Sequence, residues 1–204
     1  MGAHGRRKRI AACLGFIAAL GPAWAAAVPG LIYGGAFDLR IPATGSGQAW
    51  MDDAVVEVPD HVTILDLDVG VAITHTSVFD LELILEGPDG TRLRLNWYEP
   101  TDEFFKGENY EGTIFDDEAE RPIESGSAPF SGRYRPRAPG RLDVYDGLDA
   151  HGEWKLQIYD WWHGDTGRLE EVTLILNVPE PATVTLLLLG LSCPRIIRGA
   201  RRGR

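Results

Sequence analysis

From residue 53 to residue 178 the chain alternates between apolar and polar side chains with a period of two, and no helical period interrupts it. In Leu65-Asp66-Leu67-Asp68-Val69-Gly70-Val71-Ala72-Ile73-Thr74 the odd positions are large and apolar and the even ones acidic or small. Leu81, Leu83 and Leu85 alternate with Glu82, Ile84 and Glu86, and Leu93, Leu95 and Trp97 with Arg92, Arg94 and Asn96. Trp154, Leu156 and Ile158 alternate with Lys155 and Gln157, and Val172, Leu174, Leu176 and Val178 with Thr173, Ile175 and Asn177. Successive side chains of a strand point to opposite faces, so each run predicts a half-buried strand. The fold class expected is all-β, an antiparallel jelly-roll β-sandwich or barrel.

One hairpin has a predicted register. A three-residue loop, Pro88-Asp89-Gly90, sets Leu85 opposite Leu93, Leu83 opposite Leu95 and Glu86 opposite Arg92. Pro and Asp suit a type I turn, and Gly90 suits the left-handed position after it. The stretch from Glu99 to Arg141 is long, polar and rich in Pro and Gly. It predicts a functional loop around one end of the sandwich, with a short strand near Thr113-Ile114-Phe115.

Charge separates the middle from the ends. The formal charge is −10, yet residues 26–178 hold 29 of the 30 acids and only 11 of the 20 bases, which is 11 − 29 = −18. Binding to nucleic acid through its phosphates needs clustered Lys and Arg, so that function is excluded for the core. A divalent cation or a neutral partner suits it better.

Residues 1–27 read as a signal peptide. Arg6, Arg7, Lys8 and Arg9 precede the apolar Ile10 to Leu20, and Ala23-Trp24-Ala25 and Ala25-Ala26-Ala27 supply small-residue cleavage patterns. At the other end, Pro179-Glu180-Pro181 is followed by an apolar run from Ala182 to Cys193 and then by five arginines. Residues 179–204 closely resemble the PEP-CTERM sorting signal of Gram-negative bacteria. That resemblance implies a transient inner-membrane anchor, recognised and cut by an exosortase. The apolar run departs from the pattern in being 12 residues long before Pro194, where a span normally needs ~20. The positive-inside rule leaves the arginines in the cytoplasm and the core outside. Cys13 and Cys193 fall in these two end segments, so residues 28–178 form an exported domain without disulfides.

Four blocks of that domain are similar to the P domain, or Homo B domain, of subtilisin-like proprotein convertases. They are His75 with Asp80-Leu81-Glu82-Leu83-Ile84-Leu85 and Pro88-Asp89-Gly90-Thr91; Phe115-Asp116-Asp117-Glu118-Ala119; Pro129 to Pro136 with Leu142 and Asp146-Gly147; and Gly152-Glu153-Trp154-Lys155-Leu156 with Asp160 and Gly164-Asp165-Thr166-Gly167. The resemblance covers roughly residues 40–178. It departs at His151, where the family usually has Asn, at Val172, where a Trp is common, and at the aromatic Trp161-Trp162-His163. It implies a galactose-binding-like jelly roll without catalytic groups, which in convertases packs on the protease. His75 is expected to make a structural hydrogen bond.

Calcium is the cofactor these blocks suggest, because it takes ~6–8 oxygens from carboxylates, carbonyls and water. The candidate ligands are Asp80, Asp116, Asp117, Glu118, Asp160 and Asp165. Trp161 and Trp162, with Tyr159 and His163 and beside Asp160 and Asp165, are candidates for stacking on sugar rings, although packing, with one Trp buried and the other covering the sandwich edge, is the preferred account of them. Ser125-Gly126-Ser127 lacks the Gly-x-Ser-x-Gly context of a nucleophile, and no enzyme is expected. The expected function is a non-catalytic module sorted to the cell surface or extracellular matrix, with a protein or polysaccharide partner. The alternative is a detached accessory subunit of a secreted subtilisin-like serine endopeptidase.

Overall fold

The computed structural model describes residues 30–100 and 107–178. The signal segment and the Pro179-Glu180-Pro181 motif with its tail lie outside the described residues. Ten strands follow in order: β1 Leu31–Ile41, β2 Ala49–Trp50, β3 Ala54–Val58, β4 Asp66–His75, β5 Leu81–Glu86, β6 Arg92–Asn96, β7 Tyr110–Phe115, β8 Phe130–Tyr134, β9 Gly152–Asp160 and β10 Gly167–Asn177. No α-helix occurs among the described residues, only short 3₁₀ turns. One sheet runs β1-β10-β4-β7-β8 and the other β2-β9-β5-β6, with β3 continuing along the β2 edge of β9.

The alternating residues supply the core between the sheets. Leu67, Val69, Val71 and Ile73 of β4 and Val172, Leu174 and Leu176 of β10 face Leu81, Leu83 and Leu85 of β5 and Trp154, Leu156 and Ile158 of β9, all of them buried in one cluster. Tyr110, Phe115 and Phe130 fill one side of it, with Tyr110 and Phe130 stacked at 5.3 Å. Tyr145 and Trp154 meet edge to face at 5.0 Å.

Four expectations need correction. The hairpin pairs Leu85 with Leu93 and Glu86 with Arg92, but Leu83 faces Asn96 and not Leu95, because the register shifts between Leu83 and Ile84. The extra residue turns both Leu95 and Asn96 inward, where the Asn96 amide donates to the Tyr110 hydroxyl at 2.9 Å. β5 is not half-buried: Leu81 through Leu85, Glu82 included, are all buried, because it runs between β9 and β6 and Arg94 covers its outer face. The sandwich is not wholly antiparallel either, since β7 and β8 pair in parallel. Parallel neighbours need a crossover of about a dozen residues, which residues 116–129 provide. Finally, a long strand, β1, precedes the alternating region and pairs with β10 from Leu31↔Leu176 to Ile41↔Gly167.

Candidate functional site

The six predicted calcium ligands fall into two groups. Asp80, Asp160 and Asp165 gather where β4 turns into β5 and β9 leads into β10; Asp116, Asp117 and Glu118 lie in the turn after β7. Among the described residues no three His, Cys, Asp or Glu side chains come close enough together to hold a metal ion by themselves.

In the first group, burial holds the Asp80 carboxyl above its ordinary range; the hydroxyl of Ser77 opposes this, and a hydrogen bond and like charge from Asp165, with the charge of Asp160, add to it. Burial and neighbouring like charge both disfavour the ionised form of a carboxyl. Asp160 is fully buried and accepts the Trp162 backbone N–H through Oδ1 at 2.9 Å. Its Oδ2 lies 3.4 Å from Nε2 of His75, whose side chain is equally buried. Neither atom has another polar partner. The other ring nitrogen, Nδ1, lies 2.8 Å from the Ser77 carbonyl oxygen, and the His75 backbone N–H donates to Oδ1 of Asn109 at 2.9 Å. His75 thus ties the β4–β5 turn to β9.

In the second group Arg133 of β8 is the organiser. Its Nη1 donates to Oδ2 of Asp68 and to Oδ2 of Asp116, each at 2.7 Å. Oδ1 of Asp116 accepts the Glu118 N–H at 2.7 Å, and Oδ2 of Asp117 accepts the Asp143 N–H at 3.0 Å. Arg133 does not offset the crowding: burial still raises the Asp68 carboxyl, helped by the charges of Asp116 and Asp66. Glu118 is raised by burial and then by Asp66 and Asp116, and Asp146 by burial and then by Asp66, Asp143 and Asp117.

Trp161 belongs to a larger aromatic surface on the outer side of the β2-β9-β5-β6 sheet. Trp50 meets Tyr159 edge to face at 4.9 Å, Tyr159 meets Trp161 at 4.7 Å, Trp161 lies 6.3 Å from Tyr98 with the rings 22° from parallel, and Tyr98 meets Phe79 at 5.1 Å. Nε1 of Trp161 donates to Oε2 of Glu82 at 3.2 Å, while Nε of Arg94 sits 2.8 Å from Oε1 of the same carboxylate. Trp161 is therefore both packed and exposed, and Trp162 stands further out, 53% exposed. Sequence reasoning singled out these two with Tyr159 but missed Trp50, Tyr98 and Glu82, which come from separate segments. The alternation of β9 with β5, pairing Tyr159 with Glu82, was the available signal.

A family model for the proprotein convertase P-domain matches residues 64–176. No curated protein matches the chain. Among solved structures, the serine protease of Aeromonas sobria is similar at 15% identity and a TM-score of 0.43, over 75% of this chain and 27% of that one. The complex of that protease with its chaperone is similar at 14% identity and a TM-score of 0.43, over 76% of this chain and 27% of that one. The chain thus spans about a quarter of the length of either relative. The matched interval runs from two residues before β4 to within one residue of the end of β10 and takes in more than half of the 204 residues, so the chain belongs to the proprotein convertase P-domain family.

Proposed function

We propose that the chain is a non-catalytic P-domain module that is exported, sorted to the surface or matrix of a Gram-negative cell by an exosortase-type enzyme, and works by binding a protein or polysaccharide partner. The P domain is a non-catalytic accessory domain of subtilisin-like proteases, and that match over residues 64–176 is the observation that carries the reading. The side chains agree with it. The buried acids of the family blocks are engaged with Arg133, His75 and backbone N–H groups, which is how a scaffold uses carboxylates. Sorting rests on Pro179, Glu180 and Pro181 with the arginines behind them. Mass spectrometry of protein recovered from the medium of its own host is expected to find the chain without the residues from Ala182 to Arg204. An intact arginine tail on extracellular protein would remove the sorting claim.

Calcium is part of the proposal at the Asp80–Asp165 pair. The two carboxyls stand close together, and a divalent cation would offset the like charge that helps raise Asp80, with backbone carbonyls and water supplying further oxygens. Bound calcium would neutralise the pair and fix the β4–β5 turn against the β9–β10 loop. Calcium at millimolar concentration is expected to raise the melting temperature by several degrees over chelator, and Asp80→Asn to blunt the rise. Equal melting with and without calcium removes the metal. The second reading, an accessory subunit of a separate subtilisin-like protease, is favoured by the family alone. Its mark would be a stable complex with such a protease.

A further inference from the structure

The outer face of the second sheet has a composition that the buried scaffold does not require. Trp50 is 45% exposed and Trp161 38% exposed, although each sits against Tyr159. Beside them a shallow depression is lined by Trp50, Glu82, Ile84, Arg92, Leu93 and Arg94. The charges there are paired within the face: Arg94 with Glu82 at 2.8 Å and Arg92 with Glu86 at 3.3 Å. With Glu82 and Glu86 already paired to these arginines, on a core of −18, the face offers no free positive charge to draw an anionic partner.

We propose that this face binds a neutral polysaccharide, with pyranose rings lying on Trp50 and Trp161 and ring hydroxyls meeting the guanidinium groups of Arg92 and Arg94. The inference rests on reading the chain as a binding module and names the partner of that module. Its argument is one of matching textures. The centre of a protein–protein interface is a continuous apolar patch depleted of charge. Here ring-sized apolar surfaces are separated by planar polar groups fixed in position: Glu82 is buried and held by both Arg94 and the Trp161 N–H, and Arg92 donates through Nη2 to Oε1 of Gln157 at 2.6 Å. A pyranose has the same texture, apolar C–H faces bounded by hydroxyls. The strand pairing Trp50↔Tyr159↔Glu82 holds these groups on rigid elements, so little ordering remains to be done on binding.

The test is native affinity electrophoresis of the full-length protein in mild detergent, in gels containing hydroxyethylcellulose, galactomannan or, as the anionic control, alginate. Slowed migration in at least one neutral polymer is expected, with Trp50→Ala weakening it about tenfold or more while the melting temperature stays as in the parent, since Trp50 is half exposed. Retardation that Trp50→Ala leaves intact overturns the assignment of this face and leaves the module reading standing. Retardation by alginate alone overturns the neutral ligand. No retardation by any polymer, with a stable complex formed instead with a subtilisin-like protease, overturns the proposal and replaces it by the accessory-subunit reading.

Discussion

Replacing Trp154 by alanine is expected to cost about 3–5 kcal/mol of folding stability, the range for truncating a buried large aromatic. Trp154 is 1% exposed, packs edge to face on Tyr145, and donates its indole N–H to the Ala150 carbonyl at 2.9 Å. Truncation opens a cavity and strands that carbonyl at once. The surroundings cannot close over it, because Tyr145 is itself held by its hydroxyl, which donates to the Leu85 carbonyl at 2.9 Å. Equilibrium urea unfolding reads the effect as a lower midpoint at unchanged slope. A loss below about 1 kcal/mol, the level of an ordinary surface change, would mean that Trp154 does not organise the packing between the sheets.

Asp160→Ala is the second large effect, expected at about 3 kcal/mol, the upper end of the cost of leaving a buried polar group unsatisfied, because two groups lose their partner at once. It leaves Nε2 of His75 facing no polar atom, and it leaves the Trp162 N–H without the carboxylate that caps the turn after β9. Asp160→Asn separates the two losses. It preserves an oxygen for the Trp162 N–H and keeps a polar amide facing Nε2 of His75, so it is expected to cost clearly less. Equal costs for the two substitutions would assign the whole effect to the second carboxyl oxygen facing His75 and none of it to the cap of the turn.

Five strands, β4, β5, β6, β9 and β10, were legible in the sequence because each carries alternation with at least one buried face, and the end of β7 was legible at Thr113-Ile114-Phe115. β1 was not, because Gly34 and Gly35 blank out the pattern in its middle and Ile32 points its apolar side chain into solvent. Gly34 is there for a backbone reason: its φ is +110°, and a Cβ would meet the Val172 carbonyl oxygen at 2.1 Å. The direction of β8 was not legible either, since nothing local distinguishes a strand that pairs in parallel. Within the site, composition revealed the acids but not their partition. Which carboxylate meets which is decided by the β4–β5 turn approaching the β9–β10 loop, a contact between residues some 80 apart in the chain. The aromatic face was half legible for the same reason: Trp161 and Trp162 are adjacent in sequence, whereas Trp50, Tyr98 and Glu82 join them only across strands.

The pairing of β1 with β10 has a consequence for how the domain is attached. Leu31 lies opposite Leu176, so the chain enters and leaves the domain at one pole. Ile41 and Gly167 mark the other pole, where the Trp161-Trp162 turn and the Asp80–Asp165 pair sit. At about 3.3 Å per residue the eleven residues of β10 separate the two poles by roughly 30 Å. Whatever is attached after Val178 therefore joins the domain at the pole opposite the Trp161-Trp162 turn, and cleavage there leaves that turn and the Asp80–Asp165 pair untouched.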